Sequence, residues 1–251
     1  MANSIRYFIG NWKMFGIPKS LSILNRINKY YSKDKNRNKY KVIITPPYTL
    51  IESYSRHFRN KRISIGSQNC YQKEQFSSNT AAISPYMLKS VGAKYTLVGH
   101  SDNRGEGDSD SMLKDKVRYA IKNNLKVVFC IGENKKEKKN KKTLIVLKRQ
   151  LRNVLEKKFN KNNIIVAYEP IWSIGTGKIP TANELKKTTI HIKKVLNGIF
   201  KKTSPAVLYG GSVDGSNIGM FKEIREIDGF LIGGASKTSK KFIDIIKNYY
   251  R

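Results

Sequence analysis

A few residues stand where their types and spacing could do chemistry. The run Ala167-Tyr168-Glu169-Pro170-Ile171-Trp172-Ser173-Ile174-Gly175-Thr176-Gly177-Lys178 sets one carboxylate before a stiff proline, an aromatic residue and a glycine-bearing segment. A glutamate at a strand end can face a ligand and take a proton. Pro170 stiffens the exit, and Trp172 supplies an apolar hinge contact. Ile174–Gly177 can fold over a ligand and offer backbone N–H groups to a phosphate. Gly99-His100-Ser101-Asp102-Asn103-Arg104 places a histidine before Ser, Asp and Asn, which are helix-capping types. A helix beginning just after His100 disfavours the imidazolium form. A neutral ring can donate a hydrogen bond to a carbonyl oxygen. Asn11-Trp12-Lys13 offers a point charge for an anion. Tyr209-Gly210-Gly211-Ser212-Val213 and Leu231-Ile232-Gly233-Gly234-Ala235-Ser236 each carry a glycine pair, which lets the backbone approach phosphate oxygens closely.

Taken singly, each signal has a plain explanation. A strand-end glutamate is more often a salt-bridge partner, a loop histidine more often has no catalytic role, and one Gly-Gly is more often a turn. With 49 Lys and Arg in the chain, any one lysine is usually a solvated surface group. What lifts them together is their position on the elements that must hold them.

Short apolar and β-branched runs alternate with helical patterns. The sequence predicts strands at Tyr7–Gly10, Val42–Thr45, Ile63–Gly66, Tyr95–Val98, Lys126–Ile131, Ile164–Ala167, Ala206–Leu208 and Gly229–Ile232. It predicts helices over about 19–31, 48–59, 85–91, 109–124, 138–159, 182–200, 216–224 and 237–249. Strict alternation favours parallel strands with helices outside, and eight units without a composition break favour a closed (β/α)8 barrel, one domain over residues 1–251. No linker interrupts it; Asn134–Lys142 is a charged loop or helix start, and Gln72–Asn79 is a long polar loop. Such barrels place their active sites at the C-terminal strand ends. That rule selects Asn11, Lys13, His100, Glu133, Glu169 and the glycines after strands six, seven and eight.

Composition narrows the class. The chain has 251 residues, 39% of them hydrophobic, enough for a substantial core. The formal net charge is +31. Such a field attracts nucleic acid, anionic membranes and anionic substrates alike. Its lysines are spread over many segments, with no zinc-finger spacing and no aromatic-basic RNA-binding signature. The reading is therefore a solvated lysine-rich surface that helps draw in a phosphate dianion, with no dedicated nucleic-acid partner. No secretory signal and no membrane-length apolar run is visible. The two cysteines, Cys70 and Cys130, suggest neither a disulfide framework nor a metal site. A soluble cytoplasmic protein is expected.

Together, Asn11-Trp12-Lys13, Gly99-His100-Ser101, Cys130-Ile131-Gly132-Glu133, the Glu169 run, Tyr209–Val213 and Gly229–Ser236 resemble the triosephosphate isomerase family, in order and spacing from one end of the chain to the other. The resemblance implies a TIM barrel that interconverts dihydroxyacetone phosphate and D-glyceraldehyde 3-phosphate without metal or organic cofactor. It implies Glu169 as the base moving a proton between C1 and C2, and neutral His100 as the group serving the two oxygens. Lys13 and Asn11 would stabilise the enediolate. Gly175, Ser212, Gly233 and Gly234 would bind phosphate through backbone N–H groups. Ile174 and Leu231 would desolvate the carboxylate under a closed lid, with Cys130 and Asp102 in support. This family is itself the standard illustration of a glutamate base beside a neutral histidine under a closing loop.

The chain departs from the family pattern twice. Where Glu-Arg-Arg usually follows Gly-His-Ser, it has Asp102-Asn103-Arg104. Asp102 must then reach one methylene further or leave Lys13 less well placed. At the tip of the third loop it has Asn79-Thr80-Ala81-Ala82 in place of Phe-Thr-Gly-Glu. The resemblance implies a homodimer through loop 68–84. Two partner charges are missing together at Asn103 and Ala82, so neither is stranded. Thr80 is expected to reach toward Asn11 and Lys13 of the neighbour.

Overall fold

The computed structural model describes residues 5–201 and 203–251. Its centre is a closed barrel of parallel strands in sequence order: β1 (Arg6–Asn11), β2 (Tyr40–Thr45), β3 (Ser64–Ser67), β4 (Tyr95–Val98), β5 (Lys126–Ile131), β6 (Ile164–Tyr168), β7 (Ala206–Tyr209) and β8 (Gly229–Ile232). β8 closes on β1 through the register Tyr7 to Gly229. The expected fold class, a (β/α)8 barrel, is the observed one.

The strands are apolar on both faces because both are buried. Ile9, Ile43, Leu97, Val128, Ile165, Ala167, Leu208 and Leu231 point inward and fill the barrel. Phe8, Val42, Val98, Phe129, Val166, Val207 and Phe230 point outward under the helices. Fully burying a side chain of this size stabilises by roughly 1.5–3 kcal/mol, so the alternation itself fixes the register. A slip of one residue would exchange the two sets.

The outer helices are α1 (Leu21–Lys33), α2 (Tyr48–His57), α3 (Pro85–Ser90), α4 (Ser101–Gly105), α5 (Asp110–Lys122), α6 (Lys135–Lys139), α7 (Thr143–Val154), α8 (Ala182–Phe200) and α9 (Ser239–Tyr250). α1 buries Leu24, Ile27 and Tyr31, one stripe of a period-3.6 helix. α8 opens with a capping box, in which Thr181 accepts from the Glu184 amide and Glu184 accepts from the Thr181 amide.

Two expected helices differ. The segment 138–159 is divided: Asn134 and Glu137 cap α6, the chain turns at Lys141 with φ 56°, and α7 starts afresh at Thr143. The turn brings Val146, Leu147, Leu151 and Val154 onto the barrel wall. The segment 216–224 forms only a 3₁₀ turn over Ile218–Phe221. Asp214 accepts from the amides of Ser216 and Asn217 and tightens the chain before a longer helix can form. The third strand lies one residue later than expected, at Ser64–Ser67. Among the described residues, no helix is long and apolar enough to cross a membrane, and no three His, Cys, Asp or Glu side chains gather as a metal site.

Candidate active site

At the C-terminal mouth of the barrel lies a cavity of about 750 Å³. Of the residues singled out in the sequence, Asn11, Lys13, His100, Glu169, Ile174, Gly175, Ser212, Leu231, Gly233 and Gly234 line it. Cys130 lies beneath, inside the barrel, and Asp102 lines a neighbouring hollow of about 260 Å³ that shares Asn11, Lys13 and His100.

Glu169 follows β6 directly, and its amide donates to the Ile131 carbonyl at 2.7 Å. Its side chain is almost wholly buried, and Oε2 has no hydrogen-bond partner. A buried carboxylate oxygen left open in this way is costly, and it is free to accept a proton from a ligand. Two glycines make room for this residue. A Cβ at Gly132 would lie 1.9 Å from the Glu169 carbonyl oxygen, and one at Gly210 would lie 2.6 Å from its Cγ. Gly210 has no left-handed φ, so alanine there would strain no backbone and would only push the carboxylate aside. We predict that Gly210→Ala lowers kcat by on the order of tenfold to 10²-fold, since displacing a reacting group by about 1 Å can cost that much. Steady-state kinetics beside an unchanged melting temperature checks it.

His100 stands between β4 and α4 and caps that helix. Its Nδ1 accepts from the Asp102 amide at 3.1 Å. That bond occupies the Nδ1 lone pair, so the ring is neutral with its proton on Nε2. Nε2 lies 3.5 Å from Glu169 Oε1. The short helix expected after His100 is thus present and sets the tautomer.

Lys13 adopts φ 54°. A left-handed conformation costs a non-glycine residue roughly 1–2 kcal/mol, and three contacts hold it there. The Lys13 amide donates to Asn11 Oδ1 at 3.1 Å, Gln68 Nε2 donates to the Lys13 carbonyl at 2.8 Å, and Trp12 Nε1 donates to the Ser236 carbonyl at 3.1 Å. Lys13 Nζ meets Asp102 Oδ2 at 3.1 Å. The shorter acid therefore does reach. α4 starts at Ser101, so Asp102 sits in its first turn and is carried toward β1. Arg104 donates through Nε to the Gly99 carbonyl at 2.9 Å and through Nη2 to the Cys130 carbonyl at 3.3 Å, fixing the loop that carries His100.

Glu133, also selected by its strand-end position, lies outside the cavity. Its Oε1 accepts from Trp172 Nε1 at 2.9 Å and Tyr168 Oη at 3.2 Å, so it anchors the base of the loop after β6. Burial raises its carboxyl above the ordinary range. Burial, with Glu169 beside it, pushes the Cys130 thiol well up, which keeps it an inert neutral packing group. Gly175 and Gly177 take φ 70° and 74°, the left-handed turns that let the loop arch over the cavity. Lys241 and Asp244 of α9 also line the cavity. Neither had a signal in the sequence, because a lysine among 49 basic residues and an acid in a helix look like surface groups.

A family model described as triosephosphate isomerase matches residues 6–249. The chain belongs to the triosephosphate isomerase family. A triosephosphate isomerase of Yarrowia lipolytica is 37% identical over 247 residues, covering 96% of this chain and 98% of that one. One of Saccharomyces cerevisiae is 36% identical over 248 residues, with the same coverage of 96% and 98%. Among solved structures, triosephosphate isomerase from Bartonella henselae superposes with a TM-score of 0.89 at 32% identity, covering 98% of this chain and 99% of that one. The match runs over nearly the whole of each chain, so the Asp102 and third-loop departures are local changes within a triosephosphate isomerase frame.

Proposed function

We propose that Glu169 moves the proton in the interconversion of dihydroxyacetone phosphate and D-glyceraldehyde 3-phosphate, the cofactor-free isomerisation that this family carries out. From dihydroxyacetone phosphate, the Glu169 carboxylate takes a proton from C1. The C–H electron pair forms the C1–C2 double bond, and the C2 carbonyl becomes an enediolate oxygen. His100 Nε2–H donates to that oxygen, and Lys13 and Asn11 stabilise its charge. Glu169 then returns the proton to C2, while the C1 hydroxyl proton passes by way of His100 Nε2 to the C2 oxygen, which becomes the hydroxyl as C1 becomes the aldehyde. The phosphate sits on backbone N–H groups of Gly175, Ser212, Gly233 and Gly234. Ile174 and Leu231 exclude water, which strengthens the base and protects the enediolate from losing phosphate.

The observation that carries this reading is a buried, half-unpartnered Glu169 carboxylate 3.5 Å from the proton-bearing nitrogen of a neutral histidine. The test is conversion of D-glyceraldehyde 3-phosphate by the purified chain in deuterated water. A carboxylate route carries the proton through a solvent-exchanging group, so deuterium should enter the product at carbon. Product that stays free of carbon-bound deuterium even after prolonged interconversion would replace this mechanism by a direct hydride shift, and no conversion at all would end it.

We also infer a cytoplasmic homodimer that meets through loop 68–84. Supporting it, Met14 is 100% exposed on the rim of the hollow beside the active site, and Phe76, 75% exposed, lies on loop 68–84 itself. Thr80 is exposed at the tip of its loop, where it is available to enter a neighbour's hollow. Both cysteines are free and buried, as suits a reducing compartment. Sedimentation at micromolar concentration should give a dimer, and Met14→Arg should shift it toward monomer with lower activity. A fully active wild-type monomer would overturn the assembly.

A further inference from the structure

The loop after β6 is tied down by a hydroxyl whose role the reaction above leaves unassigned. Ser173 ends the short turn Ile171–Ser173 and is 0% exposed. Its Oγ donates to the carbonyl of Lys178, so one side chain joins the two ends of the Ile174–Gly177 arch. The same Oγ lies 3.1 Å from Tyr209 Oη at the end of β7. A serine hydroxyl has one proton. Given to Lys178, it is unavailable to Tyr209, so the phenol must be the donor in that second bond. Burial pushes the Tyr209 phenol up to about 12, which keeps its proton in place. The Ser173 carbonyl is used as well, accepting from Ser212 Oγ at 2.8 Å. Ser212 Oγ in turn accepts from the Gly177 amide at 3.3 Å. Gly211 leaves space for the junction, because a Cβ there would lie 2.1 Å from Tyr209 Oη and 2.7 Å from Ser173 Oγ.

We propose that Ser173 is a positioning residue for the isomerisation: its hydroxyl clamps both ends of the lid to each other and to the phosphate-binding loop after β7, so that Gly175 and Ile174 move as one unit over the substrate. The proposal rests on the lid and phosphate roles given above. Ser173 touches no substrate. It acts by sparing the ordering of the arch that would otherwise be required at each binding event. Without it, the Lys178 carbonyl and the Tyr209 phenol both lose a buried partner, and the arch is held only through Ser212 and Thr176.

The experiment compares the wild type with Ser173→Ala, Tyr209→Phe, the double variant and Gly211→Ala, all in the intact chain. Ser173→Ala should raise KM for D-glyceraldehyde 3-phosphate about tenfold, the scale expected when the buried Tyr209 hydroxyl is left without its acceptor. It should lower kcat much less and leave the melting temperature nearly unchanged. Amides of Gly177 and Lys178 should exchange with deuterated water about tenfold faster. Gly211→Ala should behave like Ser173→Ala, since its methyl occupies the junction. The double variant should be no worse than about twofold beyond Ser173→Ala, because the Ser173–Tyr209 bond that Tyr209→Phe removes is already gone in Ser173→Ala. Unchanged lid exchange or unchanged KM in Ser173→Ala overturns the clamp, as does a double variant whose losses multiply. The base assignment fails separately. A wild type without isomerase activity would sink that assignment, and lid exchange, which needs no turnover, would then decide the clamp alone. An unaltered Ser173→Ala beside an inactive Glu169→Gln would sink only the clamp.

Discussion

Glu169→Gln is expected to lower kcat by about 10²–10⁴-fold, the usual contribution of a positioned general base, and to leave KM within a few-fold of the wild type. The two side chains have nearly the same shape, so Gly132 and Gly210 accommodate both and the fold should not change. What changes is the open Oε2, which in the wild type has no partner and can take a proton from carbon. An amide cannot take it. The amide nitrogen can also face the Nε2–H of His100, where two donors would meet across a gap now 3.5 Å wide. Substrate binding should survive, because the proposed phosphate contacts lie on the loops after β6, β7 and β8, away from the substituted carboxylate. Steady-state kinetics at saturating D-glyceraldehyde 3-phosphate reads the effect, with the melting temperature as a control on folding. Turnover within tenfold of the wild type would remove Glu169 from the mechanism.

How much of this was legible in the sequence depends on which physics set each feature. The barrel was legible, because eight apolar runs separated by amphipathic stretches have few other ways to bury both faces of every strand. The gathering of Asn11, His100 and Glu169 around one cavity was legible because all three lie at strand ends, which meet at the barrel mouth in this architecture. The helix after His100 was legible from capping residues. By contrast, the break between α6 and α7 depends on Lys141 taking φ 56°, which nothing in a lysine's chemistry announces. The 3₁₀ turn at Ile218–Phe221 kept the i, i+3 apolar pair of a helix without its length. Ser173 looked like an unremarked member of a glycine-bearing run, and its importance comes from Tyr209, distant in sequence and adjacent only across the β6–β7 edge. Glu133 followed the strand-end rule and yet serves Trp172, because the strand-end position does not say which way the side chain turns.

Lys13→Met is the second variant with a large expected effect, about 10²–10³-fold in kcat/KM, the scale of losing one preorganised group that meets developing negative charge. The protein spends backbone strain to place this lysine, at φ 54°, with Asn11 and Gln68 holding its amide and carbonyl. Methionine keeps most of the stem and its packing but removes the cation, so the loss should fall on the transition state more than on the fold. Asp102→Asn should cost far less, within about tenfold. The Lys13–Asp102 pair is only partly buried, at 35% and 58% side-chain exposure, and water screens pairs of that kind. The strained backbone, more than the carboxylate, then carries the aim of Lys13. On this ordering, an aspartate at 102 in place of a glutamate should cost the site little. The two variants measured side by side test it. An Asp102→Asn loss as deep as that of Lys13→Met would mean the pair acts as one unit. A Lys13→Met enzyme within tenfold of the wild type would mean the enediolate charge is met by His100 and Asn11 alone.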